Sequence, residues 1–329
     1  MFSFSHLISS SDLQLSDIDQ IIHLAGVLDQ VGAARRVFPV LNDKLLCSAF
    51  FEPSTRTRLS FETAMQRLGG RVMSVEQGMV STSTVKGESL ADMGRVFSEY
   101  ADVVVVRHPA PFSAQELARS SLVPVINGGD GKNQHPTQAL VDLYTIFAKF
   151  KRLEGLSIGF VGDLKYGRTV HSLIDLLSYY TNNNYFFVSD PSLQLPESSL
   201  MQAQKGGGEI EQTSDFKSVL PRLDVLYVTR VQQERFERSE DYARVSDLFH
   251  INAELMMQAK SDLIVMHPLP RVNEIDPVFD ADPRAYYFKQ VRNGVQVRMS
   301  LLLHMLESDP MAVLAPYLGE SVNFDFKTE

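Results

Sequence analysis

The chain has 329 residues, too many for one domain of ordinary size and enough for two of about 150 each. Its 44% hydrophobic and 22% charged residues suit an ordinary globular protein, and a net charge of −9 with a pI near 5.4 argues against a nucleic-acid partner, which calls for a basic surface. A single cysteine, Cys47, excludes a disulfide framework and reads as a small buried hydrophobe. No apolar run reaches the roughly 18 residues of a membrane span, and MFSFSHLISSSDLQ lacks the parts of a signal peptide, so a cytoplasmic location away from membranes is expected.

Short apolar runs then alternate with helical patterns. KLLCSAFF (44–51), RVMSV (71–75), ADVVVVR (101–107) and VPVIN (123–127) read as buried strands. Over 58–68, Phe61, Ala64, Met65 and Leu68 keep helical spacing, and Gly69-Gly70 stops the helix. PTQALVDLYTIFAKF (136–150) is one long helix with Leu140, Leu143, Tyr144 and Phe147 on one face. A second strand series follows: LSIGFVG (156–162), YFFVS (185–189), DVLYVT (224–229) and LIVM (263–266), with a helix over 167–180 striped by Val170, Leu173, Ile174 and Leu177. SLQLPESSLMQAQKGGGE (192–209) reads as a turn-rich surface excursion. Roughly 292–307 predicts a last helix that packs back on the first domain.

Such alternation predicts parallel sheets covered on both faces. The expected fold class is α/β, with two doubly wound parallel-sheet domains joined by interdomain helices. The expected boundaries are a first domain over 1–135, a connecting helix over 136–150, a second domain over 151–291 and a C-terminal tail over 308–329.

The chemistry concentrates at strand ends, where open α/β sheets bind ligands. FFEPSTRTRLSFE (50–62) runs from a strand into a helix, with Ser54 or Thr55 placed to cap it. A helix terminus contributes only about 0.3–1 kcal/mol toward an anion, up to ~2 when partly buried. Millimolar-to-micromolar binding needs roughly 4–8 kcal/mol. An anion socket here therefore also needs the bidentate fork of Arg56. Spacing alone leaves two readings open, a socket or a capped helix with two exposed arginines. Arg58, inside the helix, is expected only to brace the loop.

Other strand ends favour the socket. VVVVRHPA ends on Arg107, and VINGGDGKNQHPTQAL places His135 and Gln138 at a helix start. A histidine there tends to stay neutral and can hydrogen-bond a carbonyl oxygen; its alternative is a capping role. His6, His23, His108, His171, His250 and His304 have no such setting. VGDLKYGRTVHSL brings Arg168 to a helix start, but its glycines are not spaced G-x-G-x-x-G, and neither a phosphate-binding GxxxxGK[ST] loop nor HExxH occurs. VTRVQQER adds Arg230 and Gln232, and MHPLPR a proline-rich turn. Arginines at four strand ends (Arg56, Arg107, Arg168, Arg230) call for one or more anionic ligands, with no metal and no cofactor expected.

FFEPSTRTRLSFE, STVKGESLADM, VVRHP, GDGKNQHPTQALVDLYTI, VGDLKYGRTVHSL, YVTRVQQER and HPLPRVNEI, in this order, resemble the signatures of the carbamoyltransferase family from about Ile8 to Leu306, and specifically its aspartate branch. The resemblance implies a transferase that passes the carbamoyl group of carbamoyl phosphate to L-aspartate, a step of pyrimidine synthesis. It places Ser54, Thr55, Arg56 and Thr57 around carbamoyl phosphate, with Arg56 on the phosphate and Thr57 near the carbonyl. Arg107 and His135 polarise the carbonyl oxygen, and Gln138 lies by the carbamoyl amide. Arg168, Arg230 and Gln232 read the aspartate carboxylates, and Pro268 and Leu269 offer backbone carbonyls to the amino groups.

Lys86 resembles a residue donated by a neighbouring chain to both substrates, which implies a homotrimer with intersubunit sites. The hydroxyl among Ser81–Thr84 that accompanies it stays open, as do regulatory chains in a larger complex. Glu52 and Arg235 would form interdomain pairs that hold a closed form.

Three rivals stand against this reading. The ornithine branch carries a cysteine in an HCLP turn, where this chain has His267-Pro268-Leu269-Pro270, and a cationic substrate suits Arg168 and Arg230 poorly. A nucleotide-binding oxidoreductase is opposed by the glycine spacing. A non-catalytic homologue is opposed by the presence of Arg56, His135 and Lys86.

Overall fold

A computed structural model describes residues 3–75, 87–231 and 249–318. The chain divides into two compact units, Met1–Tyr144 with Val291–Glu329, and Thr145–Gln290. The first contains α1 (Leu15–Gln30), β1 (Leu45–Phe50), α2 (Thr55–Arg67), β2 (Arg71–Val75), α3 (Leu90–Ser98), β3 (Val103–His108), α4 (Ser113–Ala118), β4 (Val125–Asp130) and the start of α5 (Pro136–Phe150). Its four strands are parallel in the order β2-β1-β3-β4.

Leu46, Cys47 and Ala49 of β1 and Val103 to Val106 of β3 are buried, which is why these strands are continuous apolar runs with no polar alternation. Burial pushes the Cys47 thiol up to about 12, so it stays protonated and inert. The strand order reverses between β1 and β3, and this reversal is the switch point at which open sheets leave a crevice.

A long helix, Tyr287–Leu306, enters this unit at Val291. It is tied to α1 by Gln296 Nε2 donating to Asp29 (2.8 Å) and Ser300 Oγ donating to the Ile21 carbonyl (2.9 Å). Beyond it, Leu314 is fully buried and Tyr317 meets Phe38 edge-on at 6.1 Å, so this part of the expected tail is packed protein.

Four histidines of this unit, His6, His23, His108 and His304, have pKa values depressed by burial. Their unfolded values lie near 6.5. The stability they lend is complete above that pH and is lost as pH falls through the lower folded values, because the unfolded chain takes up the protons first. The melting temperature should therefore fall by a few degrees from pH 7 to pH 5, and His304→Gln should flatten that slope. A melting temperature constant over this range would contradict the assignment.

The second unit contains β5 (Ser157–Val161), α6 (Arg168–Leu177), β6 (Asn184–Val188), α7 (Glu197–Gln204), β7 (Ile210–Thr213), β8 (Val225–Val228) and β9 (Ile264–Met266). Its sheet is parallel throughout, in the order β7-β6-β5-β8-β9, with the reversal between β5 and β8. Val161, Val188, Leu226, Val228 and Val265 build its core with Phe216, Phe249 and Phe279. The stretch 192–209 is corrected here: it holds a two-turn helix, α7, with Ala203 buried. Both sheets are the parallel α/β kind that strand–helix alternation predicts. Among the described residues no helix is long and apolar enough to cross a membrane.

Candidate active site

In the first unit, Phe50 at the end of β1 is in register with Arg107 on β3, and the Phe51 amide donates to the Arg107 carbonyl at 2.8 Å. The entry to α2 and Arg107 therefore flank the switch point. Ser54 stands at the N-cap of α2, as its position before the helix suggests, and its hydroxyl makes no capping bond. The first amides of α2 remain available to another acceptor, as an anion site requires. Thr55 and Arg56 are exposed while Thr57 is buried. Partial loss of hydration lowers the Arg56 pKa, and the group stays a full cation at neutral pH.

Thr57 Oγ1 lies 3.4 Å from His135 Nε2, a long contact between two buried side chains. His135 precedes α5, and its carbonyl accepts the Gln138 and Ala139 amides at 3.0 and 3.3 Å. Its backbone therefore caps the helix while its ring turns toward α2.

The loop that delivers His135 is organised by Asp130, a fully buried carboxylate. Asp130 accepts from Asn127 Nδ2 (3.0 Å), Asn133 Nδ2 (3.0 Å) and the Gln134 and Phe112 amides (2.9 Å each). Gly131 follows at φ +54°, where a Cβ would stand 2.4 Å from the Pro109 carbonyl. Only glycine fits that turn.

Arg107 donates from Nη1 to the Gly128 carbonyl at 3.1 Å and pairs through Nη2 with Glu52 at 2.9 Å. Glu52 thus sits on Arg107; Arg235, expected with Glu52 to form interdomain pairs, lies outside the described residues. A substrate oxygen that takes this arm of the fork must displace Glu52. Gln138 Nε2 donates to Asp142 Oδ1 at 2.7 Å.

The second unit repeats the scheme at its own switch point. Val161 of β5 is in register with Val228 of β8. Past these ends stand Gly162 and Thr229, whose Oγ1 donates to the Val161 carbonyl at 3.1 Å. A Cβ on Gly162 (φ +114°) would meet the Thr229 carbonyl at 2.3 Å, so glycine lets the two ends close up. Arg168 opens α6 and Arg230 follows Thr229, one on each side, both half-buried.

After β9, the Leu269 amide donates to His267 Nδ1 at 2.7 Å, and His267 Nε2 meets the Glu274 carboxylate at 2.8 Å. Because Nδ1 accepts, Nε2 carries the proton. Burial alone would raise Glu274, but the hydrogen bonds from His267 and the Val272 amide hold it below the usual carboxylate range. This pair fixes the backbone around Pro268 and Leu269, the latter at φ +53°. Lys86 and Gln232 lie outside the described residues. Sequence reasoning had not singled out Asp130, Asp142, His267, Glu274 or Arg298. Asp142, four residues past Gln138 on a helix, carried the clearest signal of these.

Two doubly wound units with arginines at both switch points define a two-domain α/β protein built to hold small anions. Residues 5–148 match the aspartate/ornithine carbamoyltransferase carbamoyl-P binding domain, and residues 154–305 match the Asp/Orn binding domain of the same family. The chain belongs to the aspartate/ornithine carbamoyltransferase family. It is 48% identical over 296 residues to an aspartate carbamoyltransferase catalytic subunit of Thermococcus gammatolerans, covering 90% of this chain and 96% of that relative. It is 47% identical over 302 residues to the Vibrio cholerae catalytic subunit, covering 92% and 96%. The catalytic subunit of M. jannaschii aspartate transcarbamoylase is structurally similar, with a TM-score of 0.87, 44% identity and coverage of 93% of this chain and 99% of that one. The Trypanosoma cruzi enzyme in complex with carbamoyl aspartate and phosphate gives a TM-score of 0.84 at 38% identity, covering 90% and 94%.

Proposed function

We propose that this chain transfers the carbamoyl group of carbamoyl phosphate to the amine of L-aspartate, giving N-carbamoyl-L-aspartate and phosphate. The observation that carries the reading is the buried Thr57–His135 contact beside the uncapped start of α2, with Arg107 at the neighbouring strand end. In this reading the first unit holds carbamoyl phosphate. The α2 amides, Ser54, Thr55 and the Arg56 fork take the phosphate. Arg107, Thr57 and His135 face the carbonyl oxygen, where charge develops as the amine attacks the carbamoyl carbon. The C–N bond forms, the C–O bond to phosphate breaks, and the departing phosphate can accept the amine's proton. Gln138 contacts the carbamoyl amide.

In the second unit Arg168, Arg230 and Gln232 read the two carboxylates, and the Pro268 and Leu269 carbonyls receive amino groups. Holding two anions in line is chiefly an entropic task, which suits a site rich in rigid arginine forks. The relatives named as aspartate enzymes and the HPLP turn favour aspartate over ornithine. Lys86, reaching in from a neighbouring chain, would make the working unit a homotrimer in the cytoplasm serving pyrimidine synthesis. Phosphate release from carbamoyl phosphate should depend on L-aspartate; release at the same rate without it would refute the reading.

A further inference from the structure

Behind the carbamoyl phosphate residues lie two buried charged side chains, Arg298 and Asp142, that the proposed mechanism does not use. Arg298, on the long helix Tyr287–Leu306, is 4% exposed, and its Nη1 donates to Ser60 Oγ on α2 (3.1 Å) and to the Gly294 carbonyl (3.2 Å). Its guanidinium lies over the Phe61 ring at 5.0 Å. Gly294 makes the space: a Cβ there would stand 2.6 Å from Nη1. Burial lowers Arg298 to about 10, against the attraction of Asp142, so it is cationic at neutral pH.

Asp142 is fully buried on α5 and accepts the Gln138 Nε2 bond. An ionised carboxylate can only accept, so Asp142 dictates which end of the Gln138 amide it holds. Nε2 is committed to Asp142, and Oε1 is the end left for a ligand.

We propose that buried Asp142 is a specificity device that locks Gln138 with its carbonyl oxygen toward the acyl group, selecting a carbamoyl N–H over a methyl of the same size. The inference rests on the proposed reading of the site. Asp142 is a positioning residue that acts through Gln138. An acyl phosphate with an NH2 group satisfies Oε1. Acetyl phosphate, its methyl counterpart, leaves a polar atom unpaired, the arrangement by which sites reject near-isosteres most strongly.

The test measures kcat/KM for carbamoyl phosphate and acetyl phosphate with L-aspartate as acceptor. Asp142→Asn keeps the shape but lets the Gln138 amide turn either way. The double variant Asp142→Leu/Arg298→Met replaces both buried charges by apolar groups of similar volume, which guards against leaving one charge buried alone. Both variants should cut the preference for carbamoyl phosphate at least tenfold, mainly through its kcat/KM, with acetyl phosphate changed less than threefold. In a Gln138→Ala background the same substitutions should move the ratio no further. Equal losses on both acyl donors, as a merely structural role would give, overturn the proposal, and so does an unchanged ratio in Asp142→Asn. Wild-type protein that fails to use carbamoyl phosphate with aspartate at all refutes the functional reading instead.

Discussion

Replacing Arg107 by methionine is expected to lower kcat for carbamoyl transfer by about 10²–10³, or roughly 3–4 kcal/mol of transition-state stabilisation. The size follows from its place. Arg107 is a largely buried cation beside the start of α2, with one arm on the Gly128 carbonyl and the other on Glu52. A donor held this way is oriented before the reaction starts, so its contribution grows as negative charge builds on the carbonyl oxygen. Methionine keeps the apolar stem in place and removes the charge. Glu52 then loses its partner, but at 33% side-chain exposure it can turn to water, which limits damage to the fold. The loss should fall on kcat more than on the KM of carbamoyl phosphate, measurable by steady-state kinetics. A kcat within threefold of wild type would remove Arg107 from the reaction.

The second large effect concerns the other substrate. Arg230→Met should raise the KM for L-aspartate by about 30- to 150-fold, the roughly 2–3 kcal/mol expected for truncating one side of a partly solvated charge pair. The lower part of the usual range applies because Arg230 is half-buried. The KM for carbamoyl phosphate should stay within threefold, because the proposed ligands of its phosphate, Ser54 to Thr57, belong to the first unit. Arg168→Met should behave alike, since it stands across the β5/β8 switch point. If both Michaelis constants rise together, the division of substrates between the units is wrong. If neither moves, the arginines are surface charge.

The fold was legible because buried parallel strands leave uninterrupted runs such as VVVVR, and because a glycine-rich turn after a strand is hard to mistake. Helix α1 is not among the expected elements, although Ile18, Ile21, Ile22 and Ala25 keep helical spacing and are buried. Helix α7 was hidden by the glycines and prolines around it; its only buried residue is Ala203, so it carries almost no apolar stripe.

At the site, the residues meant to touch ligands were visible in the motifs, and Thr57 and His135 do meet across 78 positions of sequence. The supporting residues were not visible. Asp130 works by gathering four N–H groups from one loop and the start of α4, and Arg298 by lying under α2 from the far end of the chain. The Arg298 contacts have no local spacing to read, and those of Asp130 with Asn127, Asn133 and Gln134, though near in sequence, match no motif. The position of the α2 cap was legible at Ser54, but not that its hydroxyl leaves the first turn open, since serine before a helix usually bonds to it.

The most direct test of the account is the identity of the product. Purified protein given carbamoyl phosphate with equal concentrations of L-aspartate and L-ornithine, its products resolved by mass, should yield N-carbamoyl-L-aspartate with at most traces of citrulline. Citrulline as the main product, or neither product, would contradict it.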